Sequence, residues 1–568
     1  MFRSLFIVIV AATLLAACAP TTAPTDGRGA ASGAQPAQPK SIALGVRYEL
    51  ISGQSKALNN SSSDAQKRLF NASLALMDGK GQIQPYLAEA LPRLNSDTWK
   101  VNADGSMETI YRLKPNLTWH DGRPLTGDDF VYAYGVYTSK AGLALFQSAP
   151  QDRMTEVVAP DPRTVVIRWR SLYPDAGSLR FEHFDPLPRH ILGPIADLED
   201  GDALGTLAFW TRDYISSGPY KIALWEPGAL LEAAAFDGHA LGRPKVDRIV
   251  VRFIPDENTM LTNVLAGNVD VALDNGLRFE HALVLKQEWG PGNRGTVLLE
   301  PIQARTLGFQ RRPDIVSPRA LLDLRVRRAL AHGIDKQGLV DGLYEGEIAI
   351  SETILSPRVP YTAELDRAVV KYPYDPRRTE ELLTEAGLRR GTDAIWAGGD
   401  AGERMSFQFM SGSGTRNQRE RAVISDAWRR MGLEVNEAQF PAVGVTDPQI
   451  RATVPGVLTW GTTGGEAWLM RYASSQIGTP ATRWRGENYI GWSNPEFDRL
   501  YDLFNSTLDR SDRNQQVIQM LRLVSEDVAT LVLYHDQGVT AFRAPIVGPQ
   551  VGAPDHTLAW NVHEWELP

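Results

Sequence analysis

The sequence predicts an α/β protein with more than one domain, and three observations carry that expectation. Strand-type segments such as Ile42–Val46 and Thr109–Leu113 alternate with helical runs, the pattern of a sheet covered by helices. The helical runs have ends written into them: Asp256 and Asp375 are N-cap residues, Pro376 fits a first helical turn, and Gly267 and Gly387 stand where helices stop. A chain of 568 residues is too long for one hydrophobic core. With 43% hydrophobic and 22% charged residues the composition is that of an ordinary globular protein. A net charge of -8 without any basic run argues against nucleic acid or an anionic membrane surface as the main partner.

Taken in order, the chain opens with Arg3 and a 13-residue apolar run, Leu5 to Ala17, that ends at Cys18. The run is too short to span a membrane and has the length of a signal-peptide hydrophobic region. Leu15-Ala16-Ala17-Cys18 resembles a bacterial lipobox, which implies a signal peptide over 1–17 and a lipid anchor on Cys18. Cys18 is the sole cysteine, so there is no disulfide framework and no other thiol for catalysis or metal binding. Residues 18–40, rich in Pro, Ala, Gly, Thr and Gln, read as a flexible tether, with the fold starting near Ser41. Ile42–Val46 reads as a buried strand; a polar stretch over 59–63 and an apolar, helix-like run to Met77 follow. Beyond the strand at Thr109–Leu113, Asp121-Gly122 signals a turn. Thr126 to Asp129 then fits a capping box that starts a helix with Phe130, Tyr134 and Tyr137 on one face.

That stretch, LKPNLTWHDGRPLTGDDFVYAYGVY, resembles the signature of the extracellular solute-binding proteins of ABC importers, in the large class that handles peptides and nickel. Further segments resemble the family in the expected order. QPYLAEALP precedes the signature. SSGPYKIALWEPGALLEAAAF resembles a hairpin turning at Pro227-Gly228. IPDENTMLTNVLAGNVDVAL resembles a helix-Gly-strand unit. DLRVRRALAHGIDKQGLVDGLYEG resembles a long helix with Val326, Ala329, Leu330 and Gly333 on one stripe. YDPRRTEELLTEAGL and GWSNPEFDRLYDLF complete the series, which runs from about Gln84 to Tyr534.

The resemblance implies a two-lobed periplasmic-binding-protein-like fold of type II, with an extra subdomain in the first lobe and two hinge crossings. On this chain the crossings are expected near Gln303–Gln310 and Leu531–Val539. Lobe one is then 41–303 plus 538–568, with the extra subdomain at about 84–208, and lobe two is 304–537. The implied role is the substrate-binding component of an importer. It would be a monomer on the periplasmic or extracellular face, held to the membrane through Cys18 and serving a permease and its ATPase without any cofactor.

Three enzyme signatures are absent: the sequence holds no G-x-S-x-G, G-x-x-x-x-G-K-[ST] or H-E-x-x-H. His120-Asp121 lies within the family signature and reads as turn support. The ligand region is expected in Gly456–Trp492, which holds four of the 14 tryptophans, Trp460, Trp468, Trp484 and Trp492, among glycines, threonines and arginines. Tryptophans of this kind also serve as ordinary core residues. In peptide-binding relatives an aspartate three residues after a tryptophan pairs with the ligand ammonium; aligned on Trp460, that position is Thr463, within Trp460-Gly461-Thr462-Thr463. A hydroxyl accepts a hydrogen bond but supplies no countercharge. Two readings stay open: Glu466 takes the role, or the ligand is not a peptide held by its amino end. Arg416, Arg471, Arg483 and Arg485 are candidates for a ligand carboxylate, or else solvated surface charges. The expected ligand is a peptide or peptide-sized polar solute, with an oligosaccharide or an opine-like carboxylated ligand as the alternative. An exported hydrolase is the rival from another class, and a ligand-presenting sensor shares the fold.

Overall fold

The computed structural model describes residues 39–57, 64–139, 149–273, 275–398, 402–441, 447–553 and 559–568. Cys18 and its lipobox lie outside them. The spine is a ten-stranded sheet. One half carries the strands Glu434–Gln439, Ser406–Ser411 and Val457–Thr463; the other carries Val271–Ala272, Ser41–Val46, Arg248–Phe253, Leu230–Ala235 and Tyr220–Glu226. Two long antiparallel strands between them join the halves, an outgoing hinge strand Gly295–Phe309 and a return hinge strand Thr530–Arg543. The halves are therefore two lobes on one hydrogen-bonded backbone. Hinge-strand pairing breaks register between Pro301 and Gln303, where proline has no N–H to donate, and again between Arg305 and Thr306.

Each lobe has its own core. Lobe one packs Ile42, Leu44, Ile249, Val251 and Phe70 with the extra subdomain, a four-stranded antiparallel sheet of Trp99–Val101, Met107–Arg112, Thr164–Trp169 and Met154–Asp161. The capped helix Gly127–Thr138 lies on that subdomain. In lobe two the sheet separates two cores. Leu307, Phe309, Phe407, Phe409 and Val457 face one core with Trp428, while Ala304, Leu458 and Val532 face the other with Trp492 and Phe497. Neighbours such as Val457 and Leu458 fall on opposite sides because successive side chains of a strand alternate.

Most local signals appear as read. Asp256 accepts from Thr259 N–H at 2.8 Å, and Asp375 caps from Arg378 N–H at 3.0 Å. Gly228, Gly267 and Gly387 take positive φ at the turn and helix ends. Three details differ. The segment around Val326 is two helices, Leu324–His332 and Lys336–Tyr344, because Asp335 accepts from Gly338 N–H and caps a second start. The apolar run ending at Met77 is a short helix, Asp64–Phe70, followed by the strand Ala75–Met77. In the helix Gly127–Thr138, Ala133 and Val136 are buried beside Phe130 and Tyr137, while Tyr134 is only half-buried. His120 stabilises its turn: its ring bonds Gly218 O at 3.1 Å, and burial pushes its pKa down to about 4.

Candidate functional site

The outgoing hinge strand reaches the site through Arg305, which the return hinge strand helps to hold. Directly opposed residues share a sheet face, so the pairings Arg305 with Tyr534 and Gln303 with Asp536 put these four side chains on one face. The helix Thr415–Arg430 lies over that face. There Glu420 meets Arg305 in a two-point contact at 2.8 and 3.1 Å and accepts from Tyr534 Oη at 2.6 Å. Arg305 also donates to Asn417 at 2.8 Å. Burial pushes the Glu420 carboxyl up, but Arg305 and the Tyr534 hydroxyl outweigh it and hold it below its usual range. Beside this pair Asp536 is taken by Arg416 and by the Tyr344 hydroxyl at 2.7 Å.

The strand Val457–Thr463 pairs with the outgoing hinge strand along its length, but with Ser406–Ser411 only through Val457 and Leu458. Past that point its flank has no neighbouring strand among the described residues, and a cavity of about 230 Å³ opens there. Thr459, Trp460 and Gly461 form its wall, with Gly412 and Phe440 at the ends of the adjoining strands. Arg305, Asn417, Arg451, Arg471 and Tyr489 complete the polar and aromatic lining. Trp460 and Tyr489 meet edge to face, 6.1 Å between centroids. Every lining residue comes from lobe two or the outgoing hinge strand.

Two glycines and one arginine set this wall. A Cβ on Gly308 would stand 2.2 Å from the Trp460 ring, and one on Gly461 would stand 1.8 Å from Gln303 Oε1. Glycine at 308 leaves room for the rigid indole, and glycine at 461 lets the Gln303 amide lie against the strand. The buried Arg312 guanidinium gathers the carbonyls of Ala452 and Tyr489, each at 2.8 Å, with Asn488 at 3.2 Å and Gly478 at 3.3 Å. It thereby fixes the segments that present Arg451 and Tyr489.

The residues singled out in the sequence fall in different places. Trp460 and Gly461 line the cavity. Thr462 is buried; its hydroxyl accepts from Trp460 Nε1 at 3.1 Å and from Arg471 at 3.3 Å. Thr463 pairs with Gln303, half-buried, outside the cavity lining. The Glu466 carboxylate is engaged by Arg510, at 2.9 Å, and by the Tyr361 hydroxyl, and it lies outside the cavity lining. Trp468 lies beneath the Arg471 guanidinium at 4.5 Å. Arg416 faces Asp536 rather than the cavity, and burial draws its pKa down. Trp484 is half-buried at φ +59°, away from the lining, and Arg483 and Arg485 are exposed. Trp492 is a core residue whose indole donates to Asp527 at 2.6 Å.

Arg305, Asn417, Phe440 and Arg451 were not legible as site residues. Arg305 carries a signal in retrospect, since a charged residue inside the strand-like QARTLGFQ needs a buried partner. Nothing local marks Arg451.

Comparison with known proteins agrees with this architecture. The model of the bacterial extracellular solute-binding proteins, family 5 (middle), matches residues 83–476. The oligopeptide-binding protein AppA of Bacillus subtilis is 24% identical, over 99% of this chain and 98% of AppA. The structure of B. subtilis AppA with a nonapeptide superposes with a TM-score of 0.71 at 21% identity, covering 94% of this chain and 100% of that one. The dipeptide-binding protein of Escherichia coli is 21% identical, over 84% of this chain and 86% of its own length. The two-lobed sheet and the family match over most of the chain lead to one assignment: the protein belongs to the bacterial extracellular solute-binding proteins of family 5.

Proposed function

We propose that the protein is the binding component of an ABC importer, that it captures a peptide or peptide-sized polar solute, and that Trp460 and its neighbours hold one part of that solute. One observation carries the reading: an aromatic and cationic cavity, reached by Arg305 of the outgoing hinge strand, opens where a strand flank has no neighbouring strand among the described residues. Its 230 Å³ is below the ~300–1,000 Å³ of a pocket that encloses a whole drug-sized ligand. It suits one residue or one end of a larger solute, the rest lying between the lobes. The peptide reading draws on relatives named for oligopeptides and dipeptides. The solute is bound and not converted, and hinge motion shifts the lobes towards whichever arrangement binds it better.

In this reading lobe one comprises 41–303 and 538–568, with its extra subdomain at about 84–208, and lobe two comprises 304–537. Residues 1–17 direct export, Cys18 carries the lipid, and 18–40 tether a monomer on the periplasmic or extracellular face within reach of its permease and ATPase. A thermal-shift screen of di- to pentapeptides, oligosaccharides and opines tests the ligand class. A ligand at 100 times its Kd stabilises the fold by about 2.7 kcal/mol. Shifts with peptides support the reading; shifts with sugars alone overturn it. Cys18→Ser is expected to move the protein from the membrane to the soluble fraction.

A further inference from the structure

The charges around the cavity do not balance. Arg305 is spent on Glu420 and Asn417. Arg471 pairs with Glu487 at 3.1 Å and donates to Gly461 O at 3.1 Å. Glu487 also accepts from the Tyr489 hydroxyl at 2.6 Å. Arg451 has no carboxylate within ion-pair distance among the described residues. Its Nη1 donates to Tyr489 Oη at 2.9 Å, its guanidinium lies 4.7 Å over the same ring, and its Nε is buried without an acceptor. The chain Arg451, Tyr489, Glu487, Arg471 thus holds two cations and one anion; both arginines line the cavity, and Arg451 is the one without a carboxylate partner among the described residues.

We infer that Arg451 anchors a carboxylate of the solute, so that the cavity is an anion subsite flanked by the Trp460 and Tyr489 rings. This rests on the proposal above that the cavity receives solute. A guanidinium stays charged at any physiological pH, and its planar fork matches a carboxylate in two-point contact. Held against an aromatic face and partly out of water, it binds such a group more strongly than a solvated arginine does. The aromatic walls then take the apolar part of the residue that carries the acid. Recognition then uses the solute's negative group, in keeping with a lining that holds three arginines and no free carboxylate among the described residues. The carboxylate has two possible sources, a chain terminus or an acidic side chain.

Isothermal titration with Ala-Phe-Ala as the free acid, Ala-Phe-Ala amide and Ala-Glu-Ala amide separates them, with hippurate as a non-peptide carboxylate. At least one carboxylate peptide is expected to bind the wild-type protein about tenfold or more tighter than the neutral amide, the worth of a charge-assisted contact. A gain for the free acid identifies the terminus; a gain for the glutamyl amide identifies the side chain. Arg451→Met is expected to abolish the preference for a carboxylate peptide over the neutral amide, and Arg451→Lys to keep part of it; a thermal melt confirms that both fold. Equal wild-type affinity for all three peptides overturns the inference and leaves the peptide reading intact. Arg451-dependent binding of hippurate without any peptide binding upholds the inference and ends the peptide reading. No binding by any probe ends both.

Discussion

Arg305 and Glu420 form an almost fully buried ion pair, with side chains 5% and 1% exposed. Removing one partner leaves the other charge without its counterion, which costs far more than the pair itself contributes. Glu420→Ala is expected to destabilise the fold by ~3–5 kcal/mol in urea titration, and Glu420→Ala with Arg305→Met by less than the single change. At the wall, Gly308→Ala drives a methyl into the Trp460 ring. It is expected to weaken ligand binding by about tenfold or more, with a loss of stability of ~1–3 kcal/mol from overpacking. At this scale the sequence was informative in part. Trp460 and Gly461 stood out because an aromatic amid glycines and hydroxyls is unusual in a core. Arg451 did not, because its significance is a missing partner, and pairing distant in sequence is visible only in the fold.

Among the elements, the outgoing hinge strand carries an acid in an unusual state. Glu300 lies next to the register break at Pro301; burial pushes its pKa up to about 7, opposed by Arg358 of lobe two at 4.0 Å. A carboxyl raised in the folded state favours folding while it is protonated. Its stabilising effect is fully present below the ordinary value of 4.5 and is lost as pH rises through about 7. A shift of this size is worth on the order of 3 kcal/mol. Chemical denaturation from pH 4 to 8 is expected to show that decline in the wild type and a flatter profile for Glu300→Gln. Helix ends were readable from the sequence because a cap is a contact among near neighbours, as at Asp256 and Asp375. The helix pair around Asp335 was read as one because the apolar stripe continues across the break, and only the cap marks it.

In the whole molecule, the lobes meet away from the hinge as well as through it. Arg513 of lobe two pairs with Asp175 of lobe one at 3.4 Å, and Arg153 donates to Asn505 O at 3.2 Å. Arg358 reaches the carbonyls of Gly79, at 3.3 Å, and Gly552. Asp175 is pushed up by burial, but Arg180 and Arg513 prevail and hold it below its ordinary range. Without ligand, the double variant Arg153→Ala with Arg513→Ala is expected to show a larger radius of gyration in small-angle X-ray scattering, and saturating ligand should restore the wild-type value. The two-lobed plan was legible because family-like segments run along most of the chain. The placement of the cavity wholly within lobe two and the outgoing hinge strand was not, since it depends on where one strand stops pairing with the next. The central claim is that this cavity holds part of a captured peptide, and titration calorimetry of tri- to pentapeptides into the wild-type protein and Trp460→Ala tests it most directly. Saturable one-to-one binding, weakened about tenfold or more by the substitution, is the predicted result; wild-type binding that Trp460→Ala leaves unchanged would contradict it.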